Sequence, residues 1–470
     1  MSRQSYQVNR EANESSSMKV LVAGSSLMSL RVVDALMHRH QVVWLKEPSD
    51  ETHKTDQLNC EHVDGELTSV QSLAQAGADH VDVFIATANS DEQNIVACIS
   101  ARRLGSKKTI CVVHGRSFLT QTNEGAEIAR SLGIDQVVRP IEQLAQELIS
   151  IVLVPGALEV EAVADGRVAL FRYAVGETAH AVGKSLNDLR LPSGTRLVHV
   201  RRDDEPIIPR GDTVLAAGDK VIAVGTRDSL ASLGEQFCEI KKRSTKDAAV
   251  IGGGRVGRAV TRGLIEAGYR VTVVETNAER CAVVAARTDA LVLHGDGTDV
   301  DFLEQEHICE KPVVIAVTNS DEKNLLVSLI VKEMGSARVL TRADRLSNER
   351  LFERVGVDVV RSAKGSAIRN ILRSVDEAES QILAELEHGE VCLLEITLKN
   401  NTPPIKVSLL SPPAYSVVGA VLRGQQTIIP EGRDTLQAGD HLFVFCARED
   451  GDAVRHYYES PPPIAESPTH

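Results

Sequence analysis

The sequence predicts an α/β protein with two tandem Rossmann-like domains, each a doubly wound parallel sheet that is followed by a small α+β domain. The first observation behind this prediction is an internal repeat, because residues 19–47 align with residues 247–275 without a gap. The second is an alternation of short β-branched runs with longer segments of helical periodicity, which is typical of parallel sheets covered on both faces. The third is a glycine-rich loop between such a run and such a helical segment.

The repeat continues beyond these segments and includes a second kind of unit. The motif N-S-D-E-x-N occurs at residues 89–94 and again at 319–324. Further along the chain, IIPRGDTVLAAGD at 207–219 recurs as IIPEGRDTLQAGD at 428–440. The chain therefore has the order A–B–A′–B′. It contains two copies of one two-domain module and is not a solenoid, whose repeats are much shorter.

The secondary structure of the A′ unit follows from its hydrophobic pattern. Strands are predicted where apolar β-branched residues run together, and helices where apolar residues recur with helical spacing between those runs. The predicted strands are 248–252, 270–275, 290–295, 313–318 and 337–342. The B units instead contain short strands, Pro and Gly turns and one brief helix, which favours a small α+β domain.

Domain boundaries follow from these patterns and from changes in composition. The ends of the chain have the polar composition of disordered segments, and the charged segment between the two modules lacks periodicity and is typical of a linker. The predicted ranges are a disordered tail at 1–17, a Rossmann-like domain at 18–154, a small domain at 155–237, a linker at 238–246, a Rossmann-like domain at 247–375, a small domain at 376–455 and a disordered tail at 456–470.

Composition excludes several classes of function. The 470 residues are 43% hydrophobic, which is enough for several folded domains, and only 3% aromatic. With a formal net charge of -13, the chain is a poor candidate for binding nucleic acid or an anionic membrane over a broad face. No apolar run has transmembrane length, and the N-terminal residues lack the apolar region of a signal peptide, so we expect a cytoplasmic protein. The eight dispersed cysteines argue against a disulfide framework or a zinc site.

The strongest chemical signal is a G-x-G-x-x-G motif that begins at Gly252, directly after a predicted strand, and opens a predicted helix. In this context Gly252 allows the tight turn, Gly254 lets a pyrophosphate approach the backbone, and Gly257 lets the helix pack closely on the sheet. Arg255 and Val256 are further candidates, because amides at a helix N-terminus bind anions with the help of the helix dipole. The motif predicts a dinucleotide site, and the alternative is a glycine turn used only for packing.

A carboxylate at the end of the second predicted strand strengthens this prediction. Glu275 stands where an acidic residue of such folds accepts hydrogen bonds from ribose hydroxyls. A 2′-phosphate at this position would meet a like charge. The sequence therefore favours NAD(H) over NADP(H).

Other polar residues follow the predicted strands at the edge of the sheet where such folds bind ligands. Asp296 and Thr298 are candidates for contact with the adenosine, and Thr318 or Arg342 for contact with the phosphates. As local sequence these are ordinary turn and helix-cap residues, so both interpretations stay open. The remaining candidates for cofactor binding are Thr276, Gly297 and Asn319.

The first copy of the motif has lost most of these residues. Ser26 and Ser29 stand at its second and third glycine positions, and Ala88 stands at the position of Thr318. A serine at the second glycine position places a side chain where the pyrophosphate would lie. Glu47 retains the ribose carboxylate position, but alone it is more often a surface residue. We therefore expect the first copy to be a structural or weakly binding relative of the second.

The motifs and their order resemble the RCK/KTN family, the regulators of potassium conductance in bacteria. The resemblance is carried by VIGGGRVGRAV, VTVVE, HGDGTD and AVTNSDEKN, followed by units with VGKSLNDLR and IIPRGDTVLAAGD. The two-copy arrangement is similar to the peripheral, NAD-binding subunit of Trk-type potassium-uptake systems. The resemblance covers roughly residues 18–228 and 247–448.

The resemblance implies a regulatory subunit on the cytoplasmic face of the cell membrane, where its partner is an integral-membrane potassium translocator that bound nucleotide gates. It implies NAD(H), ATP or ADP as ligands and a crossover helix at 137–153 that pairs domains between subunits. Since each chain has two A-type domains, we expect a homotetrameric ring. The ligand roles of the family fall on the matching residues Gly252, Gly254, Gly257, Glu275, Asp296, Thr318 and Arg342.

Two alternative functions remain open at this point. A regulator of a potassium or cation antiporter would share every one of these motifs. An NAD-dependent oxidoreductase would need a side chain poised for proton transfer near the nicotinamide. The A′ unit offers only His294 and Lys323, neither in a recognisable catalytic arrangement. We therefore expect a regulator and not an enzyme.

Overall fold

The computed structural model describes four successive units along the chain. The described residues are 17–48, 58, 60–115, 123–164, 166–203, 205–207, 209–237, 246–335, 338–379, 382–386, 391–399 and 402–459. The tail predicted at 1–17 and the linker predicted at 238–246 therefore lie outside the described residues, except for the last position of each.

The first Rossmann-like unit is a six-stranded parallel sheet with helices on both faces. Its strands are β1 (Lys19–Ala23), β2 (Gln41–Lys46), β3 (Glu61–Asp64), β4 (Val83–Ala86), β5 (Lys108–Val112) and β6 (Gln136–Val138). Its helices are α1 (Leu27–Leu36), α2 (Val70–Gln75), α3 (Asp91–Leu104), α4 (Asn123–Ser131) and α5 (Pro140–Val152). The strand order β3-β2-β1-β4-β5-β6 is that of a doubly wound fold.

The first small unit follows with a five-stranded antiparallel sheet and one described helix at its end. Its elements are β7 (Ala157–Val163), β8 (Val168–Ala174), β9 (Thr195–Arg202), β10 (Glu205–Ile207), β11 (Lys220–Gly225) and α6 (Arg227–Phe237). The strands lie in the order β10-β9-β11-β8-β7. The predicted α+β class of this unit is thereby confirmed.

The second Rossmann-like unit repeats the first, with the parallel strand order β14-β13-β12-β15-β16-β17. Its strands are β12 (Asp247–Ile251), β13 (Arg270–Glu275), β14 (Leu291–His294), β15 (Val313–Ala316), β16 (Arg338–Arg342) and β17 (Val359–Arg361). Its helices are α7 (Arg255–Glu266), α8 (Ala278–Ala285), α9 (Val300–Gln305), α10 (Asp321–Glu333), α11 (Leu346–Arg354) and α12 (Ala363–Glu379). The sequence does not predict β17, because three residues carry too little pattern.

The second small unit again has a five-stranded antiparallel sheet, in the order β18-β19-β24-β21-β22, and a separate pair of strands, β20 and β23. Its elements are β18 (Ile382–Leu386), β19 (Val391–Thr397), β20 (Ile405–Lys406), β21 (Ser416–Arg423), β22 (Gln426–Ile428), β23 (Thr435–Leu436), β24 (His441–Ala447) and α13 (Gly451–Glu459). Its sheet packs against that of the first small unit through a shared apolar cluster that includes Leu170, Val224, Phe443 and Phe445.

Two predicted boundaries differ from the structure. The second Rossmann-like domain is predicted to end at residue 375, but α12 continues to Glu379. Disorder is predicted from residue 456, and this is wrong for residues 456–459, which belong to α13. The reason is that Tyr458 is 2% exposed and packs in the core of the second small unit. Residues 460–470 lie outside the described part of the chain.

The two halves of the chain exchange helices. Leu144 and Leu148 of α5 pack with α7 in the core of the second Rossmann-like unit. Ala367 and Ile371 of α12 pack with α1 in the core of the first. The crossover helix predicted at 137–153 is therefore present as α5, which begins at Pro140 and ends at Val152, whereas residues 137 and 138 belong to β6. It pairs the two halves of one chain, however, and not separate subunits as predicted, because the duplicated sequence supplies both partners.

Polar contacts hold the exchanged helices in place. Arg369 of α12 forms a 2.8 Å ion pair with Glu147 of α5, and the hydroxyl of Ser366 donates to the same carboxylate at 2.8 Å. Arg338, in β16, donates to the carbonyl oxygens of Ile151 and Val154 at the end of α5, both at 3.0 Å. Each half of the chain thus depends on the other for both apolar and polar partners.

Candidate functional site

The carboxyl ends of the parallel strands of the second Rossmann-like unit meet at one edge of its sheet. Strand β12 pairs with β13 on one side and with β15 on the other, so the direction of winding reverses at β12. Open α/β sheets bind ligands in the crevice at such a switch point. The G-x-G-x-x-G loop lies there, between β12 and α7.

The fold requires two of the three glycines of the loop, each for a different physical reason. Gly252 has a φ of 112°, which lies in the region that favours glycine. At Gly257 a Cβ would lie 1.8 Å from the carbonyl oxygen of Gly252, so only glycine lets α7 approach β12 this closely. At Gly254 a Cβ would meet no described atom within 4 Å, and its φ of -67° suits any residue. The fold therefore does not require glycine at position 254. A side chain there would matter only to a ligand that approaches the backbone.

Helix α7 begins directly after Gly254, which is its N-cap and makes no side-chain cap hydrogen bond. The amides of a first helical turn have no partners within the helix. Val256 is 1% exposed and anchors this turn in the core, whereas Arg255 is exposed and places a positive charge beside it. This arrangement can bind an anion through backbone amides and the helix dipole.

Glu275 ends β13 beside the loop and is 6% exposed. Its Oε2 accepts a hydrogen bond from Gly253 N at 2.8 Å, and its Oε1 accepts one from Asn277 N at 2.9 Å and a longer one from the hydroxyl of Thr276 at 3.3 Å. Arg280 lies 3.9 Å from Oε1. These contacts fix the carboxylate next to the loop, and a carboxylate has further lone pairs that can accept from ribose hydroxyls.

Asp296 and Thr298 form a compact turn after β14. The amide and hydroxyl of Thr298 donate to Asp296 Oδ1 at 3.0 and 2.9 Å, and Lys323 Nζ lies 3.4 Å from Oδ2. The hydrogen bond from the Thr298 amide is the main cause that lowers the pKa of Asp296 below its ordinary value. At Gly297 a Cβ would lie 2.4 Å from Ile251 Cγ2. The turn is therefore packed against β12, close to the glycine loop, and presents an ionised carboxylate.

Two of the remaining predicted residues already make side-chain hydrogen bonds within the protein. The backbone amide of Thr318 lies at the loop, 3.1 Å from the position of a Cβ on Gly252, and its hydroxyl contacts Asn324 Oδ1 at 2.7 Å. Arg342 Nε donates to Asp344 Oδ1 at 2.7 Å, so this guanidinium is directed to an acidic neighbour and would have to leave it to reach a phosphate. Asn319 is exposed.

Sequence reasoning missed two residues that hold this edge of the sheet together. Asn324 accepts from Thr318 N at 2.8 Å and donates to the carbonyl oxygen of Arg342 at 3.0 Å, so it joins the ends of two strands. Asp321 accepts from the amide of Asp344 at 2.6 Å. Both belong to the N-S-D-E-x-N motif, and the first Rossmann-like unit repeats these bonds at its equivalent positions. The motif is therefore a framework that both units share.

The equivalent loop of the first Rossmann-like unit is closed by its own side chains. Ser26 caps α1, and Ser26 and Ser29 exchange two hydrogen bonds of 3.1 Å in a capping box. Both hydroxyls also donate to the carbonyl oxygen of Thr87, at 2.8 and 3.4 Å. Trp44, the one tryptophan of the chain, donates to the carbonyl oxygen of Gly24 at 2.7 Å. The two serines thus use their hydroxyls within the loop and at the end of β4.

Comparison with known proteins identifies both kinds of unit. The TrkA-N domain family matches residues 20–140 and 248–363, and the TrkA-C domain family matches residues 170–237 and 393–458. Among the helices that the structure describes, none combines the length and the hydropathy needed to cross a membrane.

Two curated relatives align with nearly the whole chain. The Trk system potassium uptake protein TrkA homolog of Archaeoglobus fulgidus is 28% identical over 443 residues, which are 94% of this chain and 100% of the relative. The TrkA homolog 1 of Methanosarcina mazei is 30% identical over 457 residues, with the same shares. Among solved structures, the GsuK channel bound to NAD has a similar fold, with a TM-score of 0.59, 20% identity and coverage of 94% of this chain and 78% of that chain. The chain belongs to the TrkA family and carries two TrkA-N and two TrkA-C domains in alternation.

Proposed function

We propose that this chain is the nucleotide-binding regulatory subunit of a Trk-type membrane potassium translocator, and that it binds NAD(H) at the second Rossmann-like unit. The observation that carries the proposal is the combination, at one sheet edge, of the open position at Gly254 with the fixed carboxylate of Glu275. A pyrophosphate would lie against the first turn of α7, and a ribose against Glu275. The relatives that match the full chain are named for potassium uptake, which supports the transport context.

NAD(H) is the ligand that these contacts favour. The carboxylate of Glu275 can accept from a ribose 2′-hydroxyl, whereas it would repel a 2′-phosphate. ADP and ATP share the adenosine and the first phosphates with NAD, so we expect them to compete for the same contacts. A solved channel of the same fold, GsuK, is described with NAD bound, which supports the proposal by analogy.

A regulatory role fits this edge of the sheet better than hydride transfer does. His294 Nε2 lies 2.9 Å from the carbonyl oxygen of Thr276, and Lys323 faces Asp296, so both basic candidates take part in local turn contacts. The matched relatives carry the names of transport proteins and not of enzymes. The same names favour a Trk-type translocator over an antiporter as the partner.

Exposed apolar side chains at matching places on the two Rossmann-like units support assembly into a ring. On the second unit, Leu326 of α10 is 49% exposed and Leu351 of α11 is 51% exposed. On the first unit, Val96 of α3 and Ile128 of α4 are 44% and 39% exposed. Each chain thus presents two similar apolar faces, and each face can pair with another chain. We take the closed assembly to be a homotetramer at the cytoplasmic side of the membrane.

Helix α7 connects the proposed site with the rest of the chain. Its N-terminus forms the anion-binding turn, and further along it Gly263 lies so close to α5 that a Cβ would come 2.4 Å from Ile149 Cδ1. Helix α5 leads directly into β7 of the first small unit. A nucleotide that binds one arrangement of these helices better than another would shift the population of ring states, and a coupled translocator would respond.

The proposal is tested with the purified full-length chain and with a tagged Trk-type translocator. Calorimetry with NADH, NAD⁺, NADPH, ADP and ATP should show binding that prefers NAD(H) over NADPH. Co-purification should recover the chain with the translocator, and added nucleotide should change potassium flux through the complex. Absence of nucleotide binding, or turnover of NADH with small carbonyl substrates, would contradict the proposal.

A further inference from the structure

The second small unit contains a pair of thiols that the proposed function does not use. Cys392 of β19 and Cys446 of β24 lie directly opposite each other in the antiparallel ladder, and their Sγ atoms are 3.3 Å apart. Directly opposed residues of antiparallel strands have Cα atoms about 4.5 or 5.5 Å apart, and both separations lie within the range that a disulfide spans. Small movements of the two side chains would therefore suffice to join them.

We propose that Cys392 and Cys446 form a reversible redox site, which a peroxide oxidises to a disulfide across the sheet. In the first step one thiolate attacks the O–O bond of hydrogen peroxide, a sulfenic acid forms and hydroxide leaves. In the second step the other thiolate attacks the sulfenic sulfur, the S–S bond forms and a second hydroxide leaves. Each hydroxide takes up one thiol proton. The two thiols lose two electrons, and the peroxide is reduced to two molecules of water.

Helix α13 controls access to this site. Cys392 and Cys446 are 1% and 0% exposed and share their core cluster with Val454 and Tyr458 of α13. The Sγ of Cys392 lies 3.5 Å from the position of a Cβ on Gly451, the first residue of α13. The contact with Cys392, together with burial, holds the pKa of the Cys446 thiol well above its ordinary value, so thiolate is scarce in the folded unit. Oxidation therefore requires local opening of α13.

Other cysteines of the chain provide internal comparisons. Cys98 of α3 and Cys111 of β5 are also buried, in the core of the first Rossmann-like unit. Burial and the neighbouring Cys111 raise the pKa of Cys98 well above its ordinary value, so these two thiols serve as the comparison pair. Cys60 is partly exposed and reports on general oxidation. Among the cysteines that the structure describes, no disulfide joins Cys392 to Cys446, so the pair is in the reduced form that the proposed oxidation starts from.

The test uses the full-length reduced chain and hydrogen peroxide. After treatment, remaining thiols are alkylated under denaturing conditions, and the peptides are identified by mass spectrometry. We expect a cross-linked peptide that contains Cys392 and Cys446 and that dithiothreitol cleaves. This peptide should be absent from both Cys392→Ser and Cys446→Ser. The matched control Cys60→Ser should form the cross-link as the native chain does. Because the native chain itself carries the readout, the result does not depend on how well the serine variants fold.

The role of α13 is tested by the rate of cross-linking. Tyr458→Ala removes a buried ring that docks the helix and should speed the reaction about tenfold or more, whereas Tyr458→Phe keeps the ring and should react at nearly the native rate. All rates are measured at a temperature at which circular dichroism shows that every variant is folded. Preferential formation of a Cys98–Cys111 disulfide, or oxidation of Cys392 or Cys446 to isolated acids without a cross-link, would overturn the proposal. Equal rates in Tyr458→Ala and the native chain would overturn the assignment of α13 as its gate.

Discussion

Gly254→Ser separates what the ligand requires of the loop from what the fold requires. Gly254 has φ and ψ values of -67° and -166°, and a Cβ there would meet no described atom within 4 Å. Serine is a favourable N-cap residue, and exchange of glycine and serine at an N-cap changes stability by only about a few tenths of a kcal/mol. The melting temperature of the variant should therefore remain close to that of the native chain.

Binding of NADH by the same variant should fall steeply. The serine side chain would stand where the pyrophosphate approaches the backbone, so the anion would lose hydrogen bonds from the first turn of α7. A hydrogen bond to a charged group contributes about 1.5–3 kcal/mol, so the loss of two costs roughly 3–6 kcal/mol. This corresponds to a rise in Kd of about a hundredfold or more.

Titration calorimetry of the full-length chain measures the predicted loss of NADH affinity, and thermal unfolding measures the melting temperature. Gly257→Ala is the informative contrast, because its Cβ would lie 1.8 Å from the carbonyl oxygen of Gly252. It should lower the melting temperature as well as the affinity. Native affinity in Gly254→Ser would refute the placement of the pyrophosphate. A large fall in its melting temperature would refute the conclusion that the position is open.

Three further predictions concern the carboxylate, the contact between α5 and α7, and the exposed apolar faces. Glu275→Gln removes the charge and should weaken NADH binding about tenfold or more. It should also reduce the ratio of the affinity for NADH to that for NADPH, and calorimetry with both cofactors measures this ratio. Gly263→Val would push a branched side chain against Ile149 and should lower the free energy of unfolding by about 1–3 kcal/mol in urea titrations, whereas an unchanged value would mean that the helices do not pack there. Leu326→Asp combined with Leu351→Asp should reduce the mass measured by light scattering, and an unchanged mass would exclude this face from the interface.

The features that the sequence predicts correctly are those with a local signature. The roles of Gly252 and Gly257 follow from backbone geometry within one strand–turn–helix segment, and the structure places both as predicted. The doubly wound sheet also follows, because alternating apolar strands and helices leave few other arrangements. Glu275 ends its strand as predicted, although its hydrogen bond to the amide of Gly253 is visible only in three dimensions.

Contacts are not predicted where the sequence offers a side chain several competing partners. The apolar face of α5 is apparent from its periodicity, but periodicity does not say which half of the chain covers it. The orientation of Arg342 is a similar case, since its guanidinium pairs with Asp344, two residues further along, and not with the glycine loop. Asn324 and Asp321 were visible as a repeated motif, but their role as a link between strand ends emerges only once the strands are adjacent.

We propose that one loop of each chain, and not both, binds the dinucleotide tightly. Ser26 and Ser29 close the first loop with their own hydrogen bonds, whereas the second loop is open at Gly254. Titration of the full-length native chain with NADH measures this directly, with Gly254→Ser as the matched variant. We expect one tight NAD(H) per chain and loss of that site in the variant. Two tight sites per chain, or one tight site that survives Gly254→Ser, would contradict it.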